Sequence, residues 1–206
     1  MQVRSEETHN RILTSAVKLF AEKGYEATGV AEICSDADAS KGAFYHHFPS
    51  KQALFIELLK EWLQDLDVGL GNAINHSASV PEALLAMAGQ MKGVFSAADG
   101  QVQLFLEFWQ QARRDPDVWK EFISPYRRYQ EYFARIVEKG IAEGSLRDQD
   151  PQVAGQTLVA LAVGMVVQGV VDPAGAAWDQ VTHDAVKLLI QGLSSGAGQW
   201  PKPDRR

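Results

Sequence analysis

Apolar residues recur at helical spacing along almost the whole chain. One face of a first helix is formed by Ile12, Leu13, Ala16, Val17 and Phe20, and similar stripes follow up to Leu193. No segment alternates apolar and polar residues with a period of two for long enough to form a sheet. The pattern therefore predicts an all-α fold.

Residues that cap or end helices divide the first part of this pattern. Gly24 ends the first helix, Thr28 is placed to cap a short second helix, and Ser40 can cap a short third one. Ser50 follows a proline and can cap a long fourth helix, which we expect to run from residue 51 to about residue 66. A domain boundary is expected near the start of that fourth helix.

The rest of the chain is expected to form further helices. Within a long pattern over residues 118–141, Pro125 lacks a backbone donor, which predicts a kink or a break. The two last helices are expected at residues 151–171 and 178–193. Residues 195–206 are rich in Ser, Gly, Pro and charge, which predicts a mobile tail.

The composition fits a globular protein and leaves its partners open. The 206 residues are 46% hydrophobic and 22% charged, with a net charge of −6. Phosphate binding needs positive charge only where the nucleic-acid backbone passes, so this charge neither predicts nor excludes DNA. The single cysteine, Cys34, rules out an intramolecular disulfide and suits a reducing compartment.

The sequence favours neither export nor membrane insertion. Residues 1–10 are polar, whereas a signal peptide needs a continuous apolar stretch. The most apolar run, residues 157–171, is too short to span a bilayer. We therefore expect a cytoplasmic protein with no membrane partner.

The segment from residue 28 to residue 51 has the layout of a helix-turn-helix. Its two short helices meet at Asp38, a residue type that tolerates the left-handed conformation of a tight turn. The flanking Ala37 and Ala39 are small enough for the helices to approach closely. In this motif the second helix lies in the major groove of DNA.

The candidate DNA contacts lie on and just after that second helix. Its start offers a hydroxyl, an ammonium, a bare backbone and a methyl group toward base edges, from Ser40, Lys41, Gly42 and Ala43. Tyr45 and His46 project from the side opposite Phe44, where a phosphate strand would lie. Lys51 begins the fourth helix, where its charge and the helix N-terminus can face a phosphate.

The residues of this segment also resemble a known family. The string SKGAFYHHFPSKQAL, residues 40–54, is similar to the most distinctive segment of the TetR/AcrR regulators, and FAEKGYEAT, residues 20–28, resembles the end of their first helix. The likeness covers roughly residues 10–55. The chain departs from the family where Asp38 replaces a usual Gly, Cys34 an Ala and Ala39 a Val, and where Gly29 leaves one hydroxyl instead of two.

The resemblance implies an architecture and a mode of action. It implies nine or ten helices, a homodimer formed by the last two long ones, and release of DNA when a ligand binds. A three-helix DNA-binding domain would occupy residues 1–50, and a larger ligand-binding and dimerisation domain residues 51–194. Phosphate contacts would come from Thr28, Tyr45, His46 and Lys51.

Aromatic and methionine residues of the larger domain are candidates for a ligand cavity. Methionine and tyrosine side chains are more adaptable and more polar than a core needs, although most aromatic residues on helix faces are plain core. Together with the resemblance, they predict a site for a hydrophobic or planar molecule. Its candidate lining residues are Trp62, Met87, Met91, Phe105, Trp109, Tyr126, Tyr129, Phe133, Met165 and Gln168.

The helix expected at residues 151–171 is apolar nearly all round and must be buried on every side. It is either a central helix of one subunit or, as we favour, a helix packed inward on one side and against a second copy on the other. Gly155, Gly164 and Gly169 would allow that copy to approach closely. The candidate interface residues are Leu158, Val163, Val167, Val186, Leu189 and Leu193.

These features favour a ligand-responsive repressor that leaves a palindromic operator when a small hydrophobic effector binds. The alternative is a DNA-binding protein of the same fold that is regulated by a protein partner and not by a small molecule. An enzyme is not expected, because no carboxylate pair or nucleophile–base pair stands out. No cofactor is expected. No metal is expected either, since His46 and His47 point about 100° apart on a helix and no third ligand follows at a useful spacing.

Overall fold

The computed structural model describes residues 2–96 and 101–194, without the side chains of residues 2–4, 91–96, 101–105, 108 and 122. Over this part of the chain the structure is all-α, as predicted, apart from an isolated antiparallel bridge between Leu146 and Ser194. The predicted tail, residues 195–206, lies outside the described residues. The helices are α1 (Gln2–Lys23), α2 (Val30–Asp36), α3 (Lys41–His47), α4 (Lys51–Asn75), α5 (Val80–Ser96), α6 (Gln101–Ala112), α7 (Pro116–Ala142), α8 (Pro151–Val171) and α9 (Trp178–Leu193).

Two of the three predicted helix caps are confirmed. The Ser40 hydroxyl accepts from the Ala43 amide at 3.0 Å, and Ser50 caps the start of α4 in the same way. The predicted Thr28 cap is wrong, because Gly29 is the N-cap of α2 and no side chain caps that helix. Thr28 lies one residue too early, and its hydroxyl turns toward carbonyl oxygens at the end of α1 instead.

Two helices are longer or more continuous than their sequences predict. α4 passes through Gly69 and Gly71 and ends at Asn75, well beyond residue 66. α7 continues across Pro125, so a break there is wrong, and the alternative of a kink stays a prediction. A glycine or a proline weakens a helix locally, but burial of an apolar face elsewhere on the helix outweighs that cost.

The chain divides into two compact units, and the first contains the helix-turn-helix. This unit comprises Met1–Gly69 and Gly93–Arg127, and within it α1 packs against α2, α3 and α6. The ring of Phe20 meets that of Phe55 edge-on at 5.5 Å in its core. Cys34 is buried in the same core, and burial raises the pKa of its thiol. The proposed DNA-binding domain at residues 1–50 stays a prediction.

The second unit comprises Leu70–Lys92 and Arg128–Arg206, and α8 packs on α9 within it. At Gly155 the backbone of α8 almost touches α7. A Cβ atom there would lie 2.6 Å from the amide nitrogen of Ala134 and 2.8 Å from the carbonyl oxygen of Gln130. The expectation that Gly155 admits a second copy is therefore wrong, because this glycine admits a neighbouring helix of the same subunit.

α8 is longer than the apolar run seen in the sequence. Its 21 residues make it long and apolar enough to cross a bilayer by length and composition, a test that core helices also pass. The expectation that this segment is too short to span a membrane is therefore wrong. Only 28% of its most apolar window is buried in the subunit. Much of the apolar surface of α8 is thus left for a further contact.

Candidate nucleic-acid interface

The turn between α2 and α3 has the geometry that the sequence predicts. Asp38 adopts a left-handed conformation with φ 48°. The Ala39 amide donates to the Cys34 carbonyl at 2.9 Å, which closes the turn. From α1, the Arg11 guanidinium donates to the Asp38 carbonyl at 3.3 Å. The two helices are therefore held at a fixed angle by backbone bonds and by α1.

α3 is anchored on one side and exposed on the other. Phe44 is fully buried and fastens the helix to the core. At its N-terminal end Ser40, Lys41 and Gly42 are exposed, while Ala43 is half-buried. The structure thus brings the predicted base-reading residues together on one accessible helix end.

Tyr45 and His46 follow on the same helix, away from Phe44. Both are exposed, and 55% of the Tyr45 surface is accessible. An aromatic residue with a hydroxyl and an imidazole on this side can donate to phosphate oxygens that flank the groove. Their predicted phosphate roles are compatible with this placement and stay predictions.

Thr28 is placed differently from its predicted role. It is 1% exposed, and its hydroxyl lies 2.9 Å from the Gly24 carbonyl oxygen and 3.2 Å from that of Leu19. A buried hydroxyl bonded to the backbone cannot reach a phosphate without unfolding the start of α2. We therefore leave Thr28 out of the contact set proposed below.

Lys51 has a structural role that the sequence did not reveal. Its ammonium nitrogen donates to the carbonyl oxygens of Tyr25 at 2.8 Å and Thr28 at 3.0 Å. It also lies 4.1 Å from the centre of the Tyr25 ring, in the geometry of a cation–π contact. Lys51 thus fastens the start of α4 to the connection between α1 and α2. Its phosphate contact stays a prediction.

Replacing Lys51 with Met is therefore expected to destabilise the protein by about 1–3 kcal/mol, because two bonds to a charged donor are lost. Urea unfolding measures this change, and Lys41→Met, at an exposed lysine, is the control and should change stability little. If Lys51 also neutralises a phosphate, the slope of log affinity against log salt becomes shallower by about 0.9. An unchanged free energy of unfolding would contradict the structural role.

Two other cations of the first unit are bonded to acidic residues of α2. Lys18 bonds to Asp36 at 2.8 Å, and Lys23 bonds to Glu32. These hydrogen bonds lower the pKa of both carboxyl groups. Lys41 is exposed at the start of α3, and its contact with DNA stays a prediction.

The histidines at the end of α3 pack against α1. The ring of His9 stacks on Phe48 at 4.9 Å, meets His47 edge-on at 5.5 Å, and bonds to Glu57 at 2.9 Å. Burial lowers the pKa of the His47 imidazole, and the neighbouring His9 and His46 lower it further. Among the described residues, no group of three His, Cys, Asp or Glu side chains is arranged to hold a metal ion.

The predicted ligand-pocket residues fall in both compact units. The first unit holds Trp62, Trp109 and Tyr126, and the second holds Met87, Tyr129, Phe133, Met165 and Gln168. Met87 is buried, whereas the exposed amide of Gln168 donates to the Gly164 carbonyl of its own helix at 3.4 Å. The side chains of Met91 and Phe105 lie outside the described residues. The pocket itself stays a prediction.

The predicted dimer residues differ in how much surface they leave free. Leu158 and Val186 are buried within the subunit. Half-buried positions are Val163, Val167, Leu189 and Leu193. Sequence reasoning missed three more accessible apolar side chains on these two helices, Val153 at 58%, Val171 at 78% and Leu188 at 69% exposure. Their residue types do not distinguish them from valines and leucines that are buried in the subunit.

A closed helix-turn-helix with an accessible recognition helix, followed by a larger helical region, defines a DNA-binding transcriptional regulator. Comparison with known families agrees. Residues 12–58 match the model described as "Bacterial regulatory proteins, tetR family", and residues 82–191 match "BetI-type transcriptional repressor, C-terminal". The chain belongs to the TetR family of bacterial regulatory proteins.

Individual relatives are distant in sequence and similar in fold. The HTH-type transcriptional repressor DhaR of Mycobacterium sp. (strain GP1) is 26% identical over 159 residues, which cover 76% of this chain and 79% of that protein. Among solved structures, FadR from Bacillus subtilis in complex with stearoyl-CoA has a TM-score of 0.80 at 20% identity, covering 89% of this chain and 98% of that one. A putative transcriptional regulator from Saccharomonospora viridis in complex with choline has a TM-score of 0.79 at 22% identity, covering 90% and 96%.

Proposed function

We propose that this chain is a homodimeric repressor that binds a palindromic operator in the cytoplasm and is released from it by a small hydrophobic effector. The observation that carries the DNA-binding part is the exposed N-terminal end of α3, anchored by the buried Phe44. The family's regulatory role supports the rest.

The proposed contacts divide by position along α3. Lys41, Gly42 and Ala43 lie where base edges of the major groove would be, because residues at the start of a recognition helix contact them. Ser40 already accepts a bond from the Ala43 amide, so it fixes the helix end and can still donate to a flanking phosphate. Tyr45 and His46 come next along α3, on the side where the phosphate strand would lie.

The proposed dimer uses the outer faces of α8 and α9. A Cβ atom added at Gly164 or Gly192 would have nothing within 4 Å in the subunit, so a second copy can approach these points closely. The exposed side chains of Val171 and Leu188 stand on the same two helices. A self-complementary apolar surface of this kind suits a two-fold interface. Two-fold symmetry of the protein then requires an inverted repeat in the operator.

The proposed effector is a small hydrophobic molecule. Two structural relatives that were solved with stearoyl-CoA and with choline support regulation by a small molecule, and the aromatic and methionine residues of the predicted pocket support a hydrophobic one. The competing function is regulation by a protein partner. The two functions predict different results with a fractionated cell extract. A small effector would release the operator from the small-molecule fraction, whereas a protein partner would act from the macromolecular fraction.

The test begins with an operator selected from random DNA by the purified protein, which we expect to be an inverted repeat. The operator complex is then titrated with stearoyl-CoA and, separately, with the small-molecule and macromolecular fractions of a host-cell extract. We expect release by a small molecule, with a coupling of about 1–3 kcal/mol. Because coupling is reciprocal, saturating operator must weaken effector binding by the same factor. Release by the macromolecular fraction alone would favour the protein partner instead.

A further inference from the structure

Three histidines form a cluster where α1 meets the end of α3. The rings of His9 and His47 meet edge-on at 5.5 Å, and those of His46 and His47 do so at 5.2 Å. His9 also stacks at 4.9 Å on Phe48, the residue that ends α3. We call His9, His46 and His47 the histidine cluster. It joins α1 to the last turn of the recognition helix.

The acidic groups that face the histidine cluster come from α4. A Glu57 carboxylate oxygen lies 2.9 Å from the Nε2 atom of His9. Glu61, one turn further along α4, lies close enough to feel the charge of His9, although burial raises the pKa of its carboxyl group. In the described part of the chain, neither His46 nor His47 is paired with a carboxylate. The cluster therefore holds its bonded carboxylate at His9, on the side away from the end of α3.

The free protein disfavours a proton on His47. Burial lowers the pKa of its imidazole, and positive charge on His9 or His46 lowers it further, against a smaller opposite effect of Glu57. A proton on His47 would place a positive charge beside His9, while Glu57 is already bonded to His9. An opposite charge within about 4–6 Å favours the charged form of a titratable group. A further anion near the end of α3 would therefore make this proton favourable.

A DNA phosphate has the chemistry of that anion. His46 is exposed, and the proposed function places the phosphate strand along its side of α3. An imidazolium donates from both ring nitrogens, and its bonds to a phosphate oxygen are stronger than those of a neutral ring. Because His47 lies 5.2 Å from His46, ring to ring, a phosphate bonded to His46 also acts on His47.

We propose that operator binding is coupled to proton uptake by the histidine cluster, with a DNA phosphate as the counter-ion of the added proton. This inference rests on the proposed contact between α3 and an operator. The complex then binds protons more tightly than the free protein, so operator affinity rises as the pH falls. An ordinary imidazole titrates near about pH 6.5, and the rise is therefore expected between about pH 7.5 and 5.5.

The first test measures affinity for the operator selected from random DNA as a function of pH at constant salt. The wild type should bind about three- to tenfold more tightly at pH 5.5 than at pH 7.5, within the limit of one log unit per pH unit for each proton. A protein that carries both His46→Gln and His47→Gln should lose this rise. His76→Gln, at an exposed histidine of the second unit, is the matched control and should keep the wild-type profile.

A variant of α1 separates proton coupling from a purely structural role. His9→Phe keeps an aromatic ring against Phe48, removes a positive charge beside His47 and releases Glu57. A proton on His47 is then less costly, so the rise in affinity should move to higher pH. A merely structural role for the histidine cluster would change affinity equally at every pH.

The second test counts the protons directly. Calorimetric titration of the operator in two buffers of different ionisation enthalpy should show uptake of about 0.5–1 proton per subunit near pH 6.5 by the wild type. The double glutamine variant should take up close to none. Should that variant fail to fold, the histidine ring signals of free and operator-bound wild type, followed by NMR over the same pH range, carry the test.

The outcomes distinguish this inference from the function on which it rests. A wild-type affinity that is flat or falls in acid, or an unchanged profile in the double variant, would overturn the proton coupling and leave the proposed repressor intact. Failure of the protein to select any operator would overturn the DNA-binding part of the proposed function and the proton coupling with it.

Discussion

Leu188→Asp is expected to turn a dimeric protein into a monomer and to lower operator affinity by about a hundredfold or more, which corresponds to roughly 2.7 kcal/mol. Leu188 is 69% exposed in the subunit, so a charged side chain at this position is solvated in the monomer. In a dimer paired through α8 and α9 the same charge would be buried opposite its symmetry mate. A buried charge without a partner costs several kcal/mol, more than one apolar side chain contributes to an interface.

The loss of DNA binding follows from the loss of the second recognition helix. One helix-turn-helix alone contacts one half-site and gives up the contacts of the other. Sedimentation and operator titration measure the two effects, and Val167→Asp on α8 should repeat them. Lys187→Glu is the control, because that exposed side chain points about 100° away from Leu188 on α9. A dimeric Leu188→Asp protein with unchanged operator affinity would remove α9 from the interface.

The parts of the molecule that could be predicted from sequence depend on neighbours in the chain. Ser40 and Ser50 cap helices that begin at the next residue, and the left-handed turn at Asp38 is formed by residues within five positions of it. The exposed end of α3 follows from the same local pattern, since Phe44 alone decides which side turns inward. Local hydrogen bonding and helical periodicity are sufficient for such features.

The parts that were missed depend on residues distant in sequence. Lys51 has an N-terminal helix position that suits a phosphate, but its ammonium bonds to carbonyls some 23 and 26 residues earlier. Thr28 has the residue type of a cap, but carbonyls of α1 lie close enough to take its hydroxyl. No periodicity in the sequence specifies which carbonyl will be near which side chain.

The close approach of α8 to α7 at Gly155 should be the most sensitive packing contact in the second unit. A methyl group at this position would lie 2.6 Å from a backbone nitrogen and 2.8 Å from a backbone oxygen, distances that real Cβ atoms do not adopt. Side chains can change rotamer to relieve a clash, but backbone atoms of a packed helix move only with the whole helix. Every larger residue must therefore push α8 away from α7.

Gly155→Ala is accordingly expected to destabilise the protein by about 1–3 kcal/mol, and Gly155→Val by more, which is a large share of a typical total of 5–15 kcal/mol. Helix propensity alone predicts the opposite, because alanine stabilises a helix relative to glycine by about 0.8–1 kcal/mol. Gly89→Ala on α5 is the matched control, since nothing lies within 4 Å of its added methyl group and the propensity gain should appear there. Urea unfolding of the three variants measures whether each substitution raises or lowers the free energy of unfolding. A Gly155→Ala protein as stable as Gly89→Ala would mean that α7 and α8 are not in contact at this point.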